Sequence, residues 1–286
     1  MKNSTKGMLW IILGELIFVV AWASVKKIGP RLPVFEIVFF RSFISLLILI
    51  PLMQWRHHTF HGTAWLTLFL RALFGWGAMI LSFYSMIHIR IGDASTLLNT
   101  LPIFVALFSP TLLGEPFVKK QFVFILISFV GIALVIKPEF LSANYIYSYA
   151  LFAGILSALA MICIRKLHRT DTTLVITFYF TAFATAATLP IMIGNFVLPS
   201  HTEWLLLGAI GISATLGQIF MTRAYRFGNA STIAPFAYVS VIGAYIAGLV
   251  FFDEIPDVLS IAGALIVIAS GVLVIITAPK SSSGLS

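Results

Sequence analysis

Three charged side chains, Glu15, Arg41 and Arg71, stand inside segments that are otherwise apolar for about 20 residues. A charge in hydrocarbon costs at least a few kcal/mol, so such groups face a cavity or a partner and mark candidate solute or proton pathways. Glu15 lies about eight residues into its segment and Arg71 about seven into its own, roughly 10 to 12 Å from the same membrane face along a helix. At that common depth the two could pair. Glu15 could carry a proton, or stay ionised against Arg71 and take a cationic solute when the pair opens; a neutral, hydrogen-bonded glutamate that only packs is the competing account. Arg41 enters from the opposite face, with Glu36 nearer that face. Five residues apart they leave a helix on different sides, so Arg41 is expected to lock onto a carboxylate or carbonyl of another helix.

A second tier of polar and aromatic residues sits in the same kind of segment: Tyr84, Asn99, Gln218, Tyr225 and Tyr238, with Tyr179, Trp22 and Trp76. Each alone fits packing or an interface. Together they describe a cavity with apolar walls and a few hydrogen-bonding groups, which suits amphipathic solutes. Arg223, three residues before Arg226, could attract an anionic group or serve only as a topology signal. The expected substrate-binding set is therefore Glu15, Arg41, Arg71, Tyr84, Asn99, Gln218, Arg223, Tyr225 and Tyr238. No His-Glu-x-x-His or other metal-ligand spacing is present, and no cofactor motif is found.

The elements that position these residues follow from composition. Apolar residues make up 60% of the 286 and charged residues 10%, and the mean hydropathy is +1.04. That is more apolar surface than one soluble core can hide, so the solvent is lipid. Ten segments can cross roughly 30 Å of hydrocarbon as helices: about 7–25, 34–53, 64–88, 93–114, 119–136, 146–164, 172–194, 203–225, 229–251 and 257–277. They are apolar on every side, without the alternation of a barrel strand. The fold class is all-α polytopic membrane protein. The first segment is too long for a signal peptide and is expected to be retained. Cys163, the single cysteine, is expected to be a small buried residue.

The net charge of +8 comes from 18 basic residues spread over short loops, which argues against a nucleic-acid face and reads instead as topology. With the N-terminus inside, eleven basic residues fall on the cytoplasmic side and five outside. Both termini are therefore expected in the cytoplasm of a bacterial cell, with the chain in the inner membrane. Almost all of the bias comes from the second half. Strict Gly-x-x-x-Gly is absent, so a homodimer would need another seam.

The chain is also duplicated. Arg90-Ile91-Gly92-Asp93-Ala94-Ser95-Thr96 returns as Arg226-Phe227-Gly228-Asn229-Ala230-Ser231-Thr232, with five of seven residues identical. Two units result, residues 7–137 and 146–278, each with five spans. An odd span number inverts the second unit relative to the first, the usual arrangement of secondary transporters. In the motif, the glycine is expected to make an inter-helix turn and Asp93 or Asn229 to cap the next helix. Alternatively, that helix N-terminus could face a passing anion.

The doubled pattern, Gly92-Asp93-Ala94-Ser95 through Gly114-Glu115 and Ala224-Tyr225-Arg226 through Ala234-Pro235-Phe236-Ala237-Tyr238 to Asp253-Glu254-Ile255-Pro256, resembles the EamA-type transporters of the drug/metabolite transporter superfamily. Phe39-Phe40-Arg41 and Arg71 are similar too, and the resemblance covers almost the whole chain. It implies a ten-helix carrier of amphipathic metabolites such as amino acids, nucleosides, vitamins or carboxylates. It also implies a central cavity lined mainly by the first, third, fourth, sixth, eighth and ninth helices, with the fifth and tenth peripheral. One departure is that Gly114-Glu115 becomes Asp253-Glu254, so the second copy lacks the glycine on which a tight turn would rest.

An intramembrane enzyme is the competing class, but no Gly-x-Ser-x-Gly turn, zinc motif or second intramembrane aspartate accompanies Gly92-Asp93. A non-transporting scaffold has no need of buried charges. Without a Gly-x-x-x-x-Gly-Lys-[Ser/Thr] loop, flux would come from exchange or an ion gradient. The expectation is a secondary carrier working by alternating access, with lipid and a small-molecule solute as its partners.

Overall fold

The computed structural model describes residues 2–57, 59–114, 119–136, 145–167, 170–224 and 234–277, and among them every regular element is helical. The helices are α1 Lys2–Ile28, α2 Val34–Trp55, α3 Trp65–His88, α4 Ile91–Leu98, α5 Leu101–Leu113, α6 Lys119–Ile136, α7 Ile146–Leu167, α8 Thr173–Gly194, α9 His201–Ala224, α10 Val239–Phe252 and α11 Val258–Ile276, with a 3-10 turn at Ala234–Tyr238 before α10. Nine described segments are long and apolar enough to cross a membrane, and Phe236–Phe252 supplies a shorter tenth. Large apolar side chains such as Leu205, Val258 and Leu47 point outward, as lipid-facing residues do because no water competes for them.

Helix pairing carries the inversion. α1 packs on α9 and α3 on α7, while α2 pairs with α8, α6 with α11 and α4 with α10. Exchanging the two halves converts the first pairing into the second and returns each of the other three to itself. This is the signature of two inverted five-helix repeats. Small residues set the close crossings. A Cβ on Gly131 of α6 would lie 2.9 Å from the Gly263 carbonyl oxygen of α11. In the same antiparallel seam, Ser128 bonds Ser270 at 2.7 Å and Gln121 Nε2 donates to Val274 O at 3.0 Å.

The fourth span is not the single helix that its apolar run predicts. It breaks at Asn99 and Thr100, where α4 ends and α5 begins with a proline in its first turn. Pro102 has no N–H to extend the ladder, so the chain tightens, with Thr100 N–H donating to Leu97 O at 3.2 Å and its hydroxyl to the same oxygen at 2.6 Å. The ninth span changes helix type at the matching place, from the 3-10 turn at Ala234–Tyr238 to α10. Gly154 of α7 lies against the first break, where a Cβ would come within 2.7 Å of Thr100 Oγ1.

The doubled motif behaves differently from a turn and cap. Gly92 sits inside α4, and Gly114 is the one glycine with positive φ among the described residues. Gly92 lacks a side chain because the Tyr245 ring of α10 occupies that space. Asp93 makes no cap bond. Instead, Glu254 Oε2 from the far end of the other unit accepts the Ile91 N–H at 2.9 Å. The second copy, 226–232, lies outside the described residues.

The departure at the unit ends leaves the turn unchanged. α5 ends on Gly114 with φ 68 and ψ 22, and α10 ends on Asp253 with φ 53 and ψ 30. Aspartate is among the few residues that enter this left-handed region at modest cost, so the loss of glycine costs little.

Candidate functional site

Around the breaks, a chain of polar groups crosses between the units at mid-depth. Asn99, the residue closing α4, donates from Nδ2 to Ser95 O at 2.9 Å and reaches Ser240 Oγ at 3.4 Å in the first turn of α10. The carboxyl group of Glu15 on α1 lies beside Ser240, whose hydroxyl donates to Ala237 O at 2.7 Å. Glu15 is buried. A buried carboxyl beside a neutral hydroxyl and two interrupted spans can take up or release a proton or solute group as its surroundings change.

Glu15 does not pair with Arg71. No ion pair joins them among the described residues. Equal depth did not bring them together because Arg71 turns toward α8. Its guanidinium carbon lies 4.2 Å from the centroid of the Phe180 ring, and that of Arg41 lies 5.5 Å from the same centroid. The carboxylate or carbonyl expected for Arg41 is therefore replaced by an aromatic face. Arg41 and Phe180 stand on the second and seventh spans, outside the six expected to line the cavity.

The other expected site residues spread out. Tyr238 is buried next to Ser240, its hydroxyl without a partner among the described residues and sheltered by the missing side chain of Gly271. Gln218 is half-buried on α9, beyond Thr215, which bonds Ser45 of α2 at 2.8 Å. Arg223 is exposed at the end of α9, its guanidinium carbon 4.8 Å from the Trp10 ring centroid. Tyr84 lies near the end of α3, stacked on His88 and tilted against Tyr149, a position typical of an interfacial belt. Tyr225 lies outside the described residues. Trp76 donates to Thr188 at 2.9 Å, and Tyr179 packs on Trp65. Cys163 is buried with a free thiol.

Little in the sequence pointed to the charge network at the Lys26 end of the bundle. Lys26 Nζ reaches Glu254 Oε1 at 2.6 Å, Ile89 O at 2.6 Å and Met86 O at 3.0 Å, filling its three donors. Arg90 bonds Asp257 at 2.6 Å, Ile255 O at 3.1 Å and Asp93 at 3.0 Å. Partial burial works against the Arg90 charge, but the Asp257 hydrogen bond and the Asp93 carboxylate outweigh it and raise its pKa above the ordinary value. Asp93, fully buried, also accepts from Tyr245 at 2.8 Å and Tyr147 at 3.2 Å. Arg31 pairs with Glu203, and Glu36 accepts the Val197 N–H at 3.0 Å. These bonds tie α1, α2 and α4 of the first unit and the loops beside them to α7, α9, α10 and the loops of the second, closing one face.

The opposite face has a lighter tie. Asp171 accepts from Thr63 N–H at 2.8 Å and from the Thr63 hydroxyl at 2.9 Å. Slight burial opposes its charge, but these bonds and that from Thr170 hold the carboxyl below the usual carboxylate range.

The model of the EamA-like transporter family matches residues 5–137 and 144–277. The pseudopaline exporter CntI of Pseudomonas aeruginosa is 35% identical over 266 residues, covering 92% of this chain and 94% of that protein. An S-adenosylmethionine uptake transporter of Rickettsia prowazekii is 25% identical, covering 99% and 97%. Among solved structures, one crystal structure superposes with a TM-score of 0.65 at 17% identity, covering 96% of each chain, a likeness of fold alone. Two matched repeats spanning nearly the whole chain, the inverted pairing of their helices and relatives that are transporters agree: the chain belongs to the EamA-like transporter family of the drug/metabolite transporter superfamily.

Proposed function

We propose that this membrane transporter is a secondary carrier of small amphipathic metabolites, of amino-acid, nucleoside, vitamin or carboxylate type. Its two units, residues 7–137 and 146–278, rock about a mid-membrane site in alternating access, driven by exchange or an ion gradient. The observation that carries this reading is the meeting of both interrupted spans beside Glu15, through Asn99 and Ser240. Helix breaks at matching places in inverted repeats are where carriers expose backbone and polar groups to a solute. The named cargoes of two relatives, pseudopaline and S-adenosylmethionine, one exported and one taken up, support a metabolite cargo and leave direction to experiment. The excess of basic residues in one set of loops supports a bacterial inner membrane with both termini cytoplasmic.

A thermal-shift screen of the purified carrier against amino acids, nucleosides, vitamins and carboxylates identifies a ligand, because binding to the native state raises its stability. Counterflow of that ligand in proteoliposomes then tests transport. Glu15→Gln keeps the shape of the side chain beside Ser240 but cannot release a proton. It is expected to lower flux at least tenfold with an unchanged melting temperature. Wild-type flux in this variant would remove Glu15 from the site.

A further inference from the structure

Long cationic side chains in membranes normally snorkel toward the nearer interface. Arg41 and Arg71 do the reverse. They start roughly 10 Å in from opposite ends of their spans and converge on the one ring of Phe180. Among the described residues, Nε and Nη1 of each are buried without a hydrogen-bond partner, and Ser42 Oγ next to Arg41 in sequence is likewise unpartnered. Arg71 as a whole is 7% exposed. Neither arginine has an ion-pair partner among the described residues.

The ring face offsets part of the cost of the two cations, but it neutralises neither charge and satisfies no in-plane N–H donor. The two positive charges are also within electrostatic reach of each other, which makes the arrangement dearer still. The sequence nevertheless provides for it. At Gly75, one turn beyond Arg71, a Cβ would collide with Arg71 Nη1 and stand 3.0 Å from Phe180 Cε2. The notch is cut for the guanidinium. A pair of unpaired forks set on an aromatic floor suits a planar or tetrahedral oxyanion, which each fork grips with two parallel hydrogen bonds.

We infer that Arg41 and Arg71, with Phe180 as floor, bind the oxyanionic group of the transported solute, a carboxylate or phosphate. The site is distinct from the Glu15, Ser240 and Asn99 cluster, so the solute's negative charge and Glu15 are handled by different helices. The inference rests on the transport reading for what passes through the site, yet it can fail independently of it.

The test uses the purified full-length carrier and four probes: succinate, inorganic phosphate, neutral succinamide and cationic putrescine. Succinate or phosphate is expected to raise the melting temperature of the wild type, while succinamide and putrescine do not; which oxyanion acts distinguishes carboxylate from phosphate. Arg41→Gln and Arg71→Gln should each weaken that response at least tenfold in half-saturating concentration. Arg71→Lys, which keeps the charge and loses the fork, should fall between them and the wild type, an order that a purely structural arginine would not produce. If the Gln variants do not fold, Arg71→Lys and Gly75→Ala carry the test, the latter displacing the guanidinium with its charge intact. Silence of both oxyanions, an equal response to succinamide or putrescine, or wild-type oxyanion binding in the Arg71 and Gly75 variants overturns the site. Counterflow of a solute with unchanged KM in those variants would remove the oxyanion site and leave the carrier standing. Oxyanion stabilisation without counterflow would do the opposite.

Discussion

Asp93 offers the sharpest test of how the doubled motif works. Its carboxylate is fully buried and accepts three hydrogen bonds, from Tyr245 at 2.8 Å, Arg90 Nε at 3.0 Å and Tyr147 at 3.2 Å. Removing it in Asp93→Ala takes the acceptor from the buried Tyr147 phenol and leaves Tyr245 only the Ser260 carbonyl at 3.5 Å, at about 1 to 3 kcal/mol each. Arg90 loses less, since Asp257 and the Ile255 carbonyl still hold it. Better helix propensity of alanine returns about 0.5 kcal/mol, and hydrogen bonds inside membranes average nearer 0.6 kcal/mol when measured. The net expectation is a loss of about 2 to 4 kcal/mol, or about 5 to 15 °C in melting temperature for a chain of this length.

The informative comparison is Asp93→Ser. A helix cap tolerates serine as well as aspartate, whereas serine cannot reach both phenols, so it should be nearly as damaging as alanine. Thermal unfolding in detergent, with Tyr147→Phe and Tyr245→Phe in double-mutant cycles, reads the coupling directly. Each Phe variant alone should cost about 1 kcal/mol, and each should cost almost nothing once Asp93 is gone. A harmless Asp93→Ser, or strict additivity with both tyrosines, would refute the network and restore the cap.

Lys26→Met strips Glu254 of its cation while leaving it on the Ile91 N–H. A loss of about 2 to 4 kcal/mol is expected, largely recovered by the double variant Lys26→Met, Glu254→Gln, and calorimetry of the three proteins decides. On the other face, the bonds that depress the Asp171 pKa contribute stability above the unfolded value of about 4, and that contribution fades as pH falls through the lower folded value. Thr63→Ala should therefore lower the melting temperature at pH 7 by the equivalent of about 0.5 kcal/mol or less, given the exposure of the pair, and not at pH 2; an equal deficit at both would exclude the ionic origin.

The architecture was readable in the sequence because lipid leaves few choices. Apolar runs of sufficient length must be helices, and a repeated seven-residue string marking two units of five spans each fixes inversion. The break at Asn99 and Thr100 was less visible, since Pro102 and Pro110 both stand in the run and only tertiary contact tells a helix start from a tolerated kink. Gly92 misled for a related reason: glycine next to an aspartate resembles a turn, while the need for it comes from Tyr245, 153 positions away. Arg41, Arg71 and Glu15 were visible as misfits in hydrocarbon, but their partners were not. Depth along a helix follows from counting; rotation about its axis follows from packing, and rotation decided that Arg71 meets Phe180 instead of Glu15.

The charges of this protein divide by position, and the division bears on why the central ones exist. Near the membrane faces, Lys26, Arg90, Asp93, Glu203 and Asp171 are met by opposite charges, hydroxyls or backbone groups. Such pairs hold a face shut and can be traded for water when it opens. At mid-depth, the guanidiniums of Arg41 and Arg71 converge on an aromatic ring with no ion-pair partner among the described residues, and Glu15 lies beside the hydroxyl of Ser240. Were the central groups structural, the cheapest repair would be a carboxylate on α8 facing the two guanidiniums, yet Phe180 stands there. A carboxylate at that position would occupy the forks permanently and exclude any solute that needs them. An aromatic floor makes the cations tolerable while leaving their N–H groups free. Phe180→Glu should therefore raise the melting temperature and abolish counterflow together; a variant that is stabilised and still transports would show that the two arginines serve the fold alone.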